Sequence, residues 1–182
     1  LDVRFGHSYL GTVVGNPEHA DHREREQTAL NCRLLLDKIS IFRNNGELDR
    51  NYVFSYNRNP LPPKNSSSTD HWGYYNVNSK STSDQTFHYA PSYYRTYRNS
   101  EGQIQTGIWK GINKNSCSDR SQYGVLTSIK FPTGAETHFE YELNDFSNGF
   151  KDSADSLIRS GGGLRIKTIC DLSDKGDTIS VR

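Results

Sequence analysis

The stretch Gly124–Leu143, GVLTSIKFPTGAETHFEYEL, decides how this chain is read. Val125, Thr127, Ile129 and Phe131 alternate along one side of an extended run, and Pro132-Thr133-Gly134 turns the chain. Phe139, Tyr141 and Leu143 then bring large side chains back along the return arm. Ser128, Lys130, His138, Glu140 and Glu142 fall on the opposite side. Successive side chains of a strand point to opposite faces, so this pattern predicts a β-hairpin with one buried face and one wet face.

Two further segments share the layout. RLLLDKISIF (33–42), a turn region with Gly46, and NYVFSYN (51–57) place Tyr52, Phe54 and Tyr56 on one face. GGGLRIKTIC, a turn with Gly176, and TISV form the third strand–turn–strand unit. A recurring unit of this kind predicts sheets that stack or continue on one another. The spacing of the units is irregular, which excludes a simple tandem array. Residues 1–14 alternate weakly, as a strand does. From Asn16 to Leu30 a short solvated helix is expected, with Pro17 near its start and Glu18 and Asp21 in the first turn. NPLPPKNSSS (59–68) is a loop, because its three prolines cannot sit inside a ladder. In IQTGIWKGI, Gly107 and Gly111 argue against a helix. Segments 114–122 and 144–160 read as loops.

The fold expected is all-β, mainly antiparallel, built from hairpins in a YD-repeat-like or sandwich arrangement, with at most one or two short helices. One domain covers 1–182, and 1–32 is its least defined part. Hydrophobic residues make up only 32% while aromatics reach 12%. Disordered chains are poor in aromatics, so the chain folds, using thin layers of Tyr, Phe, Ile and Leu. Its 22 basic and 21 acidic residues nearly cancel, which gives no long-range field for nucleic acid or an anionic membrane. A local basic patch at Arg95 and Arg98 reads as a solvated loop. No apolar run approaches the ~20 residues of a membrane span. The cysteines Cys32, Cys117 and Cys170 form no C-x-x-C pair, and at most one disulfide is available to them. The chain begins with Leu1 and has no Met, as expected of a piece of a longer protein.

The hairpin LTSIKFPTGAETHFEYE resembles the YD-repeat unit of Rhs-type proteins. Together with RLLLDKISIF, YVFSYNRNPLPP, DHWGYYN and GGLRIKTI it is similar to the region ahead of the repeat core in large secreted or surface-associated bacterial Rhs/YD-repeat proteins. The resemblance spans roughly residues 33–182. It implies an antiparallel scaffold in an exported protein, whose partners are the rest of its own polypeptide or another protein. The Tyr-Asp dipeptide that names the repeat is absent, since Glu142 follows Tyr141. Three units are also too few to close a shell.

The stretch STDHWGYYNVNSK (68–80) carries the one aromatic cluster with a ligand-binding reading. Trp72 with Tyr74 or Tyr75 offers a stacking surface for a sugar, and Asp70 and Asn76, with Asn78, offer hydrogen bonds to its hydroxyls. The competing reading is a packed corner in which Gly73 lets the chain turn and the Trp N–H finds a buried partner. The corner reading leads, and a carbohydrate-binding module using Trp72, Tyr74, Tyr75 and Trp109 is the alternative. His19 and His22 sit three apart, reachable on one helical face, but nothing in the sequence supplies further metal ligands. No nucleophile–base signature or phosphate loop occurs, and the glutamates of the central hairpin read as solvated strand residues. Neither catalytic residue, metal nor cofactor is expected.

Overall fold

The structure is a computed structural model that describes residues 1–13, 19, 21–77, 93–109, 111–147 and 158–182. Its strands are β1 (Asp2–Leu10), β2 (Arg33–Phe42), β3 (Leu48–Tyr56), β4 (Tyr93–Arg98), β5 (Ile104–Trp109), β6 (Leu126–Lys130), β7 (Glu136–Ser147), β8 (Ile158–Leu172) and β9 (Thr178–Val181). Strands take 51% of the chain described, and the fold is all-β and antiparallel without a closed barrel. Seven strands make one sheet in the order β1-β2-β3-β6-β7-β8-β9, and β4 pairs with β5 in a separate ribbon. The three hairpins read from the sequence therefore continue one another, with β3 pairing to β6 and β7 to β8.

One turn chemistry builds these hairpins. In the segment from Arg43 to Glu47, the Arg43 N–H donates to Glu47 O at 2.8 Å and the Gly46 N–H to Arg43 O at 2.9 Å. The same pair of bonds closes Phe131–Ala135 and Ser173–Asp177, and also Asn99–Gln103 between β4 and β5. In all four, the glycine at the fourth position has a φ between 77° and 88°. That left-handed conformation carries little penalty for glycine, and it matches the three-residue hairpin loop whose end forms a bulge.

The sheet has a distinct apolar face. Residues paired directly across a ladder share a face. The partners Phe5–Ile39, Ile39–Tyr52, Phe54–Ile129 and Phe139–Ile169 thus draw an apolar stripe across β1, β2, β3, β6, β7 and β8. Ile166 joins it as the partner of Tyr141, because the register of β8 shifts between Glu140 and Tyr141. The rings of Tyr52 and Phe131 meet edge to face at 6.3 Å on this side. The opposite side carries Lys130, Glu136 and His138, and the Glu136 carboxylate meets the Lys130 ammonium at 3.2 Å and the His138 ring nitrogen Nε2 at 3.0 Å.

The buried face expected from the alternation is only half-buried. Phe5 remains 64% exposed, and Ile39, Tyr52, Phe54, Ile129 and Phe139 are intermediate. The other sheet among the described residues is the β4–β5 ribbon, and β4 is exposed at every position, so no second described sheet lies over this face. Side chains within the face shield one another, but a single layer leaves their outer surface in water. The sandwich form of the expectation is not seen among the described residues.

Four hydrophobic residues are buried among those described: Leu10, Cys32, Leu35 and Ile112. Leu10 ends β1 and Leu35 lies near the start of β2, so the small core sits at the end of the sheet opposite the glycine turns. Helix α1 (His22–Asn31) lies beside it with no buried residue. Asp21 is its N-cap and not a first-turn residue: Asp21 and Glu24 exchange reciprocal side-chain to backbone bonds, which sets the start there. Pro17 and Glu18 lie outside the described residues. The segment 114–122 contains a one-turn helix, α2 (Ser118–Ser121), and 144–160 is strand at both ends, with residues 148–157 outside the described part.

Candidate functional site

The aromatic stretch forms a fifth copy of the hairpin turn. The Asp70 N–H donates to Tyr74 O at 2.8 Å, the Gly73 N–H to Asp70 O at 3.3 Å, and Gly73 has a φ of 91°. A single bridge, Thr69 to Tyr75, flanks it. The third position of the other four turns holds Asn45, Glu101, Thr133 or Lys175. Here it holds Trp72. The third residue is exposed in the other four turns, and the Trp72 indole is likewise 59% exposed.

The turn is fixed from below by buried polar groups. Asp70 is 3% exposed, and its Oδ1 accepts the Trp72 and Tyr74 N–H groups, both at 2.9 Å. Its Oδ2 accepts the Ser116 hydroxyl at 3.0 Å. Asn76, also 3% exposed, donates through Nδ2 to Asn113 O at 2.9 Å and Asn115 O at 3.2 Å. Lys114 is buried and gives its ammonium protons to Thr69 O, Thr69 Oγ1 and Ser67 O at 2.7, 3.2 and 3.4 Å. The segment after β5 is thereby laced to the turn, each buried group finding a partner as burial demands.

Trp72 lies on glycine. A Cβ placed on Gly162 of β8 would fall 1.7 Å from Trp72 Cε3 and 2.0 Å from Cδ2. Only a residue without a side chain admits the ring, and this is the close neighbour that the glycine run Gly161–Gly163 accommodates. The Asn144 amide donates to Gly162 O at 3.1 Å and holds the same strand. The outer side of the indole is open, and its N–H has no partner among the described residues.

The structure separates the residues that the sequence grouped. Asp70 and Asn76 are internal struts. Tyr75 meets Tyr123 with centroids 5.7 Å apart, Tyr74 lies by Gly163, and both tyrosines are half-buried. Trp72 touches the His71 ring edge to face at 5.8 Å, and no ring contact joins it to Tyr74 or Tyr75 among the described residues. The expected packed corner with a buried, paired indole is not found at Trp72, and Asp70 and Asn76, which the sequence offered as partners for sugar hydroxyls, are buried and engaged within the chain. Instead, Trp72 borders a groove of about 410 Å³ with His71, Lys114, Asn115, Ser116, Phe146 and Ser160. Phe146, at the end of β7, lay in a segment that the sequence presented as a polar loop. Its alternation with Asn144 and the strand-forming Phe were the available signal.

The chain matches no protein-family model, no curated protein and no solved structure.

Other candidates disperse. His19 precedes α1, so it does not share a helical face with His22, and no group of three metal-ligating side chains occurs among the described residues. Arg95 and Arg98 lie three apart on β4, which sends them to opposite faces. Glu142 is tied to Arg165 at 2.7 Å, and Arg165 also grips Asp145, so both acids hold the guanidinium protonated more firmly than usual. All three cysteines are free thiols. The side chain of Trp109 and Asn78 lie outside the described residues. Among the described residues no helix is long and apolar enough to cross a membrane.

Proposed function

We propose that this chain is a non-catalytic β scaffold or interaction domain of a large exported, Rhs/YD-repeat-like bacterial protein. The observation that supports it is the apolar stripe across six strands with no second described sheet over it. An apolar surface of this extent on a soluble protein marks an interaction site. The partner is the rest of the polypeptide or another protein laid on that face. The sheet's growth, hairpin onto hairpin, fits a unit of a larger β structure. A cysteine placed at Phe5, with Cys32, Cys117 and Cys170 changed to Ala, tests this by maleimide labelling. The reading expects fast labelling in the 182-residue chain and protection when the chain is embedded in its whole protein. Equal labelling in both would sink it.

A second reading, a glycan contact, is favoured by one observation: the solvent-open indole of Trp72 at the tip of a rigid turn.

A further inference from the structure

We propose that the groove between the Trp72 turn and the ends of β7 and β8 binds a neutral saccharide ring. This rests on the glycan reading and moves its site, from a Trp72–Tyr74–Tyr75 platform to Trp72 with Phe146. The argument begins with rigidity. Trp72 is fixed by the turn, by the Asp70 carboxylate that accepts its backbone N–H and by the Gly162 backbone beneath its ring. A ring held on one side and open on the other needs no ordering when a ligand arrives, which lowers the entropic cost of binding. The aliphatic C–H face of a pyranose packs on such an apolar aromatic surface.

The polar groups of the groove select the ligand's charge. Trp72, Asn115 and Ser160 line the groove, and the Trp72 Nε1–H, the Asn115 side-chain amide and the Ser160 hydroxyl have no partner among the described residues. They are neutral, and together they offer both donors and acceptors, as sugar hydroxyls require. Lys114 is the one ammonium or guanidinium among the lining residues, and three oxygen acceptors already engage it. An acidic glycan would bring a carboxylate to a groove with no free ammonium or guanidinium to meet it, where the His71 imidazole is the other lining group able to carry positive charge. Phe146, 48% exposed, supplies a second apolar wall, and the volume of about 410 Å³ lies in the range of small-ligand sites.

The test uses the full 182-residue chain carrying Trp109→Phe, so that the one indole N–H signal in a nitrogen–proton spectrum belongs to Trp72. Cellohexaose, maltohexaose and chitohexaose are titrated to 10 mM, with a polygalacturonate hexamer as the acidic probe. A neutral hexamer is expected to shift the Trp72 indole signal saturably, with a Kd on the order of 1 mM. Phe146→Ala should weaken binding about threefold to tenfold. Trp72→Ala should abolish the shifts of the Asn115 and Ser160 amides, and Trp72→Phe should restore part of them. Unchanged amide signals from the three glycine turns identify variants that keep the fold. Silence from every neutral hexamer overturns the proposal, as does preferential binding of the acidic one. If instead the shifts map to Tyr74 and Tyr75 and survive Phe146→Ala, the glycan reading stands and this groove is wrong. None of these outcomes bears on the labelling test of the apolar face.

Discussion

The two ends of the seven-stranded sheet are held by different physics. At one end Gly46, Gly134 and Gly176 close three hairpins with the same two backbone bonds each. Each turn is complete within five residues. At the other end, Ser68, Asp70, Asn76 and Lys114 are buried and are joined across separations of up to 47 residues. That end also holds Leu10, Cys32, Leu35 and Ile112, the buried apolar residues among those described. Local chemistry can shape a turn, but only long-range burial can anchor an exposed tryptophan. The glycine end is a repeated local shape, and at the polar end the same turn is held by bonds from distant segments.

The sharpest way to break the comparison is Asp70→Ala. It strips a buried acceptor from two N–H groups and one hydroxyl. A stability loss of about 2–4 kcal/mol is expected in urea denaturation, with Trp72 losing its fixed environment. A loss below that of the turn glycines would remove the contrast between the two ends.

Glycine substitutions sharpen it in steps. Gly162→Ala should cost about 1–3 kcal/mol and expel the indole, seen as a change in Trp72 emission, because the methyl overlaps the ring. Gly134→Ala should cost more than Gly46→Ala, for which about 1 kcal/mol is expected from the left-handed backbone alone. At Gly134 the added carbon would meet Asp174 Cβ at 3.0 Å, whereas Gly46 has nothing within 4 Å. Equal losses at the two turns would mean that the hairpin tips do not pack side by side.

The smallest expected effect is electrostatic. Asp171 accepts from Thr137 at 2.7 Å, Ser180 at 2.7 Å and Arg182 at 2.6 Å, and these bonds lower its pKa to about 2. A carboxylate lowered by folding stabilises the native state above its ordinary value near 3.8 and loses that contribution as pH falls towards 2. The difference in urea midpoint between the native chain and Asp171→Asn should therefore shrink between pH 5 and pH 2. A constant difference would show that Asp171 gives β9 no pH-dependent hold.

The hairpins were legible because alternation and an x-x-G turn are both short-range signals. The fourth hairpin, β4–β5, carried the same signal at Gly102, in Asn99–Gln103, and was hidden by the irregular residues around it. Asp70-His71-Trp72-Gly73 carried it too, beneath its aromatic content. Strict alternation would send Ile166 and Ile169 to opposite faces, and the register shift in β8 brings them to one. A bulge of that kind depends on the neighbouring strand, so no pattern within a single strand reveals it.

Sequence by itself determined the strands of three hairpins, their glycine turns and the alternation that gives the sheet an apolar side. These follow from φ preferences and period-2 geometry, which act over a few residues. Tertiary structure alone decided that the apolar side has no described layer over it, that Asp70 and Asn76 are struts, and that Trp72 faces solvent beside Phe146. The reason is that burial is a property of what lies across the fold. The indole's place depends on Gly162, ninety positions along the chain from Trp72, leaving it room.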